Sequence, residues 1–272
     1  MSKPNTASKM SVRELRRMAR DREPIVALTA YDALIARMAD EAGVHLILVG
    51  DSLGMTVLGY ETTIPVTMTD VLRHTAAVSR GVRRALVVGD MPFLSYTVSV
   101  EEALRNAGRL LQEAGAQAVK LEGGCRIAGT VEAMVNAGIP VLGHIGLLPQ
   151  SVLAEGGYRV HGRTPEEARE LMRDARAIQE AGAFGLVLEG LPVGLSAQIT
   201  DALTIPTIGI GAGPACSGQI QVVHDILGLF EEFVPKHTKR YENLAEDVRA
   251  ALSEYAAEVA ERAFPGEEHA FK

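Results

Sequence analysis

The sequence predicts an α/β protein, a TIM-type (β/α)8 barrel with an N-terminal helix and a C-terminal helical extension, read as one domain over residues 1–272. Three observations predict it. Short runs that are apolar on both faces recur at the spacing of βα units, as buried parallel strands do. Amphipathic stretches of helical length lie between them. Four joints also repeat one pattern, an acidic or polar residue followed by Ala-Gly and an apolar run. These are EAGVHLILVGDS from Glu41, EAGAQAVKLEGG from Glu113, NAGIPVLGHIG from Asn136 and EAGAFGLVLEG from Glu180. In each, the glycine can close a helix in the left-handed conformation, and a strand follows at once. Such barrels commonly take roughly 200–250 residues as one unit. A doubly wound open sheet is the alternative, but no GxGxxG follows the first strand, where a dinucleotide fold would carry it.

In chain order, the first strand lies in IVALTAYD from Ile25. The second ends in Gly50-Asp51-Ser52, and the third, within RALVVGDMP from Arg84, ends in Gly89-Asp90-Met91-Pro92. The helical stretch VEEALRNAGRLLQEAG from Val100 leads to a fourth strand ending Lys120-Leu121-Glu122, and the fifth ends Gly143-His144. GGYRVHGR, Gly156 to Arg163, reads as a loop over the strand-five mouth with glycines as hinges. The next helix opens at Thr164, with Pro165 in first position and Glu167 three residues after the cap, a capping box. The sixth strand ends at Glu189 and the seventh is IPTIGIGAG from Ile205. The eighth is expected near LFEEFVP, from Leu229. Tyr241 to Phe264 reads as a helical tail suited to oligomer packing.

Composition removes several classes of function. Lys plus Arg number 27 against 34 Asp plus Glu, a net charge of −7, with no basic run. Such a chain is a poor ligand for nucleic acid or an anionic membrane. Aromatic residues make up only 4% and tryptophan is absent, so a ring-lined binding face is not expected. Cys125 and Cys216 lie far apart without CxxC spacing and make neither a disulfide framework nor a zinc site. No signal-peptide core and no run of roughly 20 apolar residues is present, so the expected compartment is the cytoplasm.

In a barrel the chemistry sits where strands end and βα loops begin. Asp51, Asp90 and Glu122 terminate three consecutive strands and would converge on one mouth. Packed carboxylates repel and need a cation or shared protons. Oxygen ligands without nearby cysteine suit a hard divalent ion, Mg2+ before Mn2+, and a 2-oxo acid would chelate at such a site. Taken singly, each acid reads equally as a helix cap or loop solvator. Lys120 is two residues before Glu122, so both face one side of the strand. It reads as a buried ion-pair partner or as the charge that stabilises a developing enolate oxygen. His144 is a core histidine or a site residue. Glu189, among apolar neighbours, is a usable general base or a salt-bridge partner. GIGAGP, Gly209 to Pro214, is a tight turn or a phosphate cradle.

Several motifs occur in order: Ala30-Tyr31-Asp32, Val49 through Gly54, Gly89 through Phe93, Val119 through Gly123, Gly143 through Leu147, Leu188-Glu189, Ile208 through Gly213 and Val223-His224-Asp225. With them the chain closely resembles the ketopantoate hydroxymethyltransferases, from about Ser11 to the C-terminal helices. That resemblance implies a barrel of the phosphoenolpyruvate/pyruvate superfamily, assembled as a homodecamer, with Mg2+ at Asp51, Asp90 and Glu122. It implies 3-methyl-2-oxobutanoate held by Asp51, Ser52, Asp90 and Lys120, with Glu189 as proton acceptor; His144, at the neighbouring strand end, is expected among the substrate-binding residues. It also implies 5,10-methylenetetrahydrofolate as one-carbon donor, in pantothenate synthesis. Ser217-Gly218-Gln219 departs from the Asp-Gly-Gln frequent in relatives, and His237 stands where an aromatic is common. The competing readings are a lyase or mutase resembling isocitrate lyase or phosphoenolpyruvate mutase, and a non-catalytic metabolite-binding barrel. A Lys-Lys-Cys-Gly-His loop would mark the former, and this sequence has none.

Overall fold

Ser11 opens the first helix, Val12–Arg20, with a capping box closed by Glu14. In the computed structural model, which describes residues 9–271, eight strands follow. They are β1 (Ile25–Thr29), β2 (Leu46–Val49), β3 (Leu86–Asp90), β4 (Ala118–Glu122), β5 (Val141–Gly146), β6 (Gly185–Glu189), β7 (Thr207–Ile210) and β8 (Gly218–Gln221). Each pairs in parallel with its sequence neighbour, and β8 pairs with β1, closing the barrel. The four Ala-Gly joints behave as their chemistry requires. Gly43, Gly115, Gly138 and Gly182 all hold positive φ, between +74° and +94°, a region that costs L side chains energy.

One strand differs from the sequence reading. Leu229–Pro235 lies in no strand, and Phe233 and Val234 there are exposed. The eighth strand is Gly218-Gln219-Ile220-Gln221, whose burial alternates, with Gly218 and Ile220 buried and Gln219 exposed. Two glutamines and a glycine in four residues hide it from a search for apolar runs. Gly218 is glycine because a Cβ there would collide with the Ile25 carbonyl oxygen on β1.

The barrel interior is layered. Leu15 and Met18 of the first helix join Ile25, Leu46, Leu86, Ala118, Leu142, Val187, Ile208 and Ile220 in one apolar cluster. Side chains alternate along a strand, so the next inward positions toward the strand C-termini lie directly above this cluster. On β4 those are Lys120 and Glu122, above Ala118. On β5 and β6 they are His144 above Leu142 and Glu189 above Val187. The apolar floor thus carries a charged ceiling.

The helix Pro165–Glu180 starts as the sequence predicts, with Thr164 and Glu167 in a capping box and Pro165 in the first turn. From Val223 the chain forms a second compact unit. It holds a short turn of helix, Val223–Ile226, and one long helix, Leu244–Ala260, of which only Ala245 is buried. Among the described residues no helix is long and apolar enough to cross a membrane.

Candidate active site

Strand register brings the polar strand ends together. Asp90 is paired with Lys120, Glu122 with His144, and Gly146 with Glu189. Their side chains form a continuous chain of contacts. Lys120 Nζ donates to both Asp90 oxygens at 2.9 Å and to Glu122 Oε1 at 3.1 Å. His144 Nδ1 lies 3.4 Å from Glu122 Oε1, and its Nε2 lies 3.2 Å from Glu189 Oε2. Both are ion-pair distances, and neither ring nitrogen has hydrogen-bond alignment. The Asp51 backbone N–H donates to Asp90 Oδ2 at 3.1 Å, which ties the end of β2 to the same group. The Ser52 hydroxyl lies 2.8 Å from that of Tyr31.

Neither Asp51 nor Asp90 acts as a helix cap. Ser52, not Asp51, holds the N-cap position of the turn Leu53–Thr56, and Asp90 belongs to Lys120. Asp51, Asp90, Lys120, Glu122 and His144 are all buried, whereas the Glu189 side chain keeps 18% of its surface and stands at the rim. A group that exchanges protons with a bound molecule needs that access.

Burial sets the charges. It holds Asp51 well above the usual carboxylate range, reinforced by Asp90 and Glu122. Burial raises Asp90 as well, although Lys120 opposes it. Burial acts the same way on Glu122, but Lys120, His144 and the Gln150 N–H outweigh it and bring it to about 2. Lys120 is disfavoured by burial, yet Asp90, Glu122 and Asp51 push it well above its ordinary value. His144 is lowered by burial and by Lys120, and raised further by Glu122 and Glu189, to about 9.

The donors gathered here are all oxygen and nitrogen, with no thiolate among them. Four acids, Asp51, Asp90, Glu122 and Glu189, stand at the strand ends beside Lys120 and His144. The ligands they would offer an ion are carboxylate oxygens, which suit a hard divalent cation. Among the described residues no three Asp, Glu, His or Cys side chains form a ready-made cage. The reason is visible: Lys120 takes both oxygens of Asp90 and one of Glu122, so the ammonium supplies the positive charge at their centre.

A profile of the ketopantoate hydroxymethyltransferase family matches residues 9–267. The chain belongs to this family. As a ketopantoate hydroxymethyltransferase it is an enzyme of the transferase class. It is 55% identical over 271 residues to the 3-methyl-2-oxobutanoate hydroxymethyltransferase of Syntrophus aciditrophicus (strain SB), covering 100% of both chains. It is 57% identical over 261 residues to that of Chloroflexus aurantiacus (strain ATCC 29366 / DSM 635 / J-10-fl), covering 96% of this chain and 92% of the relative. Among solved structures, a putative phosphonomutase from Burkholderia cenocepacia J2315 matches with a TM-score of 0.65 at 18% identity, over 89% of this chain and 98% of that one. A phosphonopyruvate hydrolase solved with oxalate and Mg2+ matches with a TM-score of 0.62 at 14% identity, over 97% and 92%. At those identities the two structures share its fold.

Two residues of this candidate site carry no sequence signal of their own. Gln150 lies in the 3-10 turn Pro149–Ser151 after β5, and Tyr96 in the loop after β3. Gln150 Nε2 donates to Asp51 Oδ2 and to the Met91 carbonyl, both at 2.9 Å, and its backbone N–H donates to Glu122 Oε2 at 3.1 Å. The Tyr96 hydroxyl donates to Gln150 Oε1 at 2.8 Å. A turn directly after a strand mouth is the one cue that could have marked Gln150. The loop Gly156–Arg163 carries no helix or strand. Arg159 pairs with Glu167 at 2.9 Å, and His161 with Glu155 at 2.8 Å. After the Gly211 and Gly213 turn comes β8 rather than a helix, so the GIGAGP segment lacks the helix N-terminus of a phosphate cradle.

Proposed function

We propose that the protein transfers a hydroxymethyl group from 5,10-methylenetetrahydrofolate to 3-methyl-2-oxobutanoate, giving 2-dehydropantoate and tetrahydrofolate for pantothenate synthesis. The observation that carries this reading is the run Asp90–Lys120–Glu122–His144–Glu189, a buried charge network ending in one accessible carboxylate. Asp51, Asp90 and Glu122 would hold Mg2+. When bound, that ion would act as a Lewis acid that draws electron density from the oxo acid and acidifies its C3–H.

The chain's own groups then do the following. Ser52 and Lys120 bind and orient the oxo acid, and Glu189 takes the proton from C3. His144, between Glu122 and Glu189, keeps that carboxylate at the rim. The Lys120 ammonium stabilises the negative charge that gathers on the keto oxygen. C3 forms the new carbon–carbon bond to the one-carbon unit, whose two bonds to the folate nitrogens break. Water supplies the hydroxyl oxygen. The C3 proton and one water proton replace the lost bonds on the two nitrogens, so atoms balance. A cytoplasmic homodecamer is the assembly that goes with this reading.

The test is turnover of 3-methyl-2-oxobutanoate with 5,10-methylenetetrahydrofolate and Mg2+, followed by mass spectrometry. Appearance of 2-dehydropantoate is expected. Its absence, with cleavage of a different oxo acid by the same preparation, would replace this reading with the lyase alternative.

A further inference from the structure

The amide of Gln150 is buried and fully committed. Its two N–H bonds go to Asp51 Oδ2 and the Met91 carbonyl, and its oxygen accepts from Tyr96. The Tyr96 hydroxyl accepts from the Glu122 backbone N–H at 3.3 Å, so its single proton is free to be donated. It goes to the nearer acceptor, Gln150 Oε1 at 2.8 Å, rather than the Glu122 carbonyl at 3.1 Å. This fixes which way the amide faces. Flipped, its oxygen would meet Asp51 Oδ2 and the Met91 carbonyl, and the two bonds that Nε2 makes there would be lost. One residue of the β5 loop therefore spans β2 through Asp51, β3 through Met91 and β4 through Glu122 Oε2.

We infer that Gln150, oriented by Tyr96, is a positioning residue that sets the spacing and direction of the Asp51 and Glu122 carboxylates for a shared divalent cation. It occupies one oxygen of Asp51, Oδ2, and one of Glu122, Oε2. Asp51 Oδ1 carries no bond from Gln150 and is the oxygen left to turn toward an ion. Groups that hold metal ligands in this way are worth about 10–100-fold in metal affinity when removed. The inference rests on the proposed reading of Asp51 and Glu122 as magnesium ligands.

The experiment uses the full chain and titrates Mn2+ alone, reading free ion by electron paramagnetic resonance. Gln150→Met keeps the side-chain volume and removes the side-chain bonds to Asp51, Met91 and Tyr96, while the backbone N–H stays on Glu122. It is expected to weaken Mn2+ binding at least tenfold and to raise the oxo-acid KM at low Mg2+, with excess Mg2+ restoring it. Tyr96→Phe keeps the ring and frees the amide, so a smaller loss in the same direction is expected. Wild-type affinity in Gln150→Met overturns the inference. So does a lasting KM defect at saturating Mg2+, the mark of general structural damage. If the wild-type chain itself does not take up Mn2+, the failure lies in the metal reading, and the inference falls with it.

Discussion

Lys120 Nζ sits 2.9 Å from both carboxylate oxygens of Asp90, and the two residues are register partners on adjacent strands. The contact is almost dry, with 5% and 1% of the two side chains accessible. A buried pair of this kind adds little to stability over an apolar pair, but losing one partner leaves an uncompensated charge. Lys120→Met should therefore destabilise the metal-free protein by about 3–5 kcal/mol, measured by urea unfolding. It strands Asp90 and also Glu122, which Lys120 contacts at 3.1 Å. A variant that unfolds at the wild-type urea concentration would show that the carboxylates protonate at no cost.

Glu189 differs from the other acids in its access to solvent, and Lys120 does not touch it. If it accepts the C3 proton, Glu189→Gln should bind Mg2+ and the oxo acid as before. It should lose roughly 100-fold or more in turnover, and lose exchange of the C3 hydrogen in D2O to the same degree. Exchange can be followed by NMR without the folate. Wild-type exchange in this variant would assign the base elsewhere.

The fold was legible where an apolar run ended in a polar residue. Asp51, Asp90, Lys120, Glu122, His144 and Glu189 all fall at such ends, and the period of two placed Lys120 with Glu122. β8 was not legible, because Gln219 and Gln221 break the run and Ile220 alone reaches the core. Gln150 and Tyr96 were not legible for another reason. Their contacts span |i−j| of 99 to Asp51 and 26 to Glu122, and neutral loop residues make no pattern from which such a contact can be read. Local chemistry predicts the strands; only closure of the barrel brings these loops over its mouth.

Gly146 ends β5 at a φ of +100°, paired with Glu189. A Cβ there would collide with the Glu189 carbonyl oxygen, which also accepts from Leu147 N–H at 2.9 Å. The colliding atom is backbone and cannot swing away. Gly146→Ala combines that overlap with an unfavourable φ, and is expected to cost about 1–3 kcal/mol of stability. It should also reduce turnover, because relief requires the end of β6 to shift and Glu189 with it. Thermal unfolding beside the C3 exchange assay checks both effects; stability lost with exchange intact would mean the base tolerates the movement.

His144 yields a pH dependence whose sign follows from its surroundings. Burial and Lys120 oppose its charge, but Glu122 and Glu189 raise it from 6.5 to about 9 in the folded chain. A histidine whose pKa rises on folding stabilises fully below its unfolded value, and this contribution is lost as pH climbs through the folded value. In metal-free protein the stability difference between wild type and His144→Gln should therefore be greatest below about pH 6.5. It should shrink as pH rises toward 9. Urea midpoints for both proteins at pH 6, 7.5 and 9, in one buffer series, measure this directly. A difference that is constant with pH, or that grows with it, would mean that the imidazole is neutral between its two carboxylates.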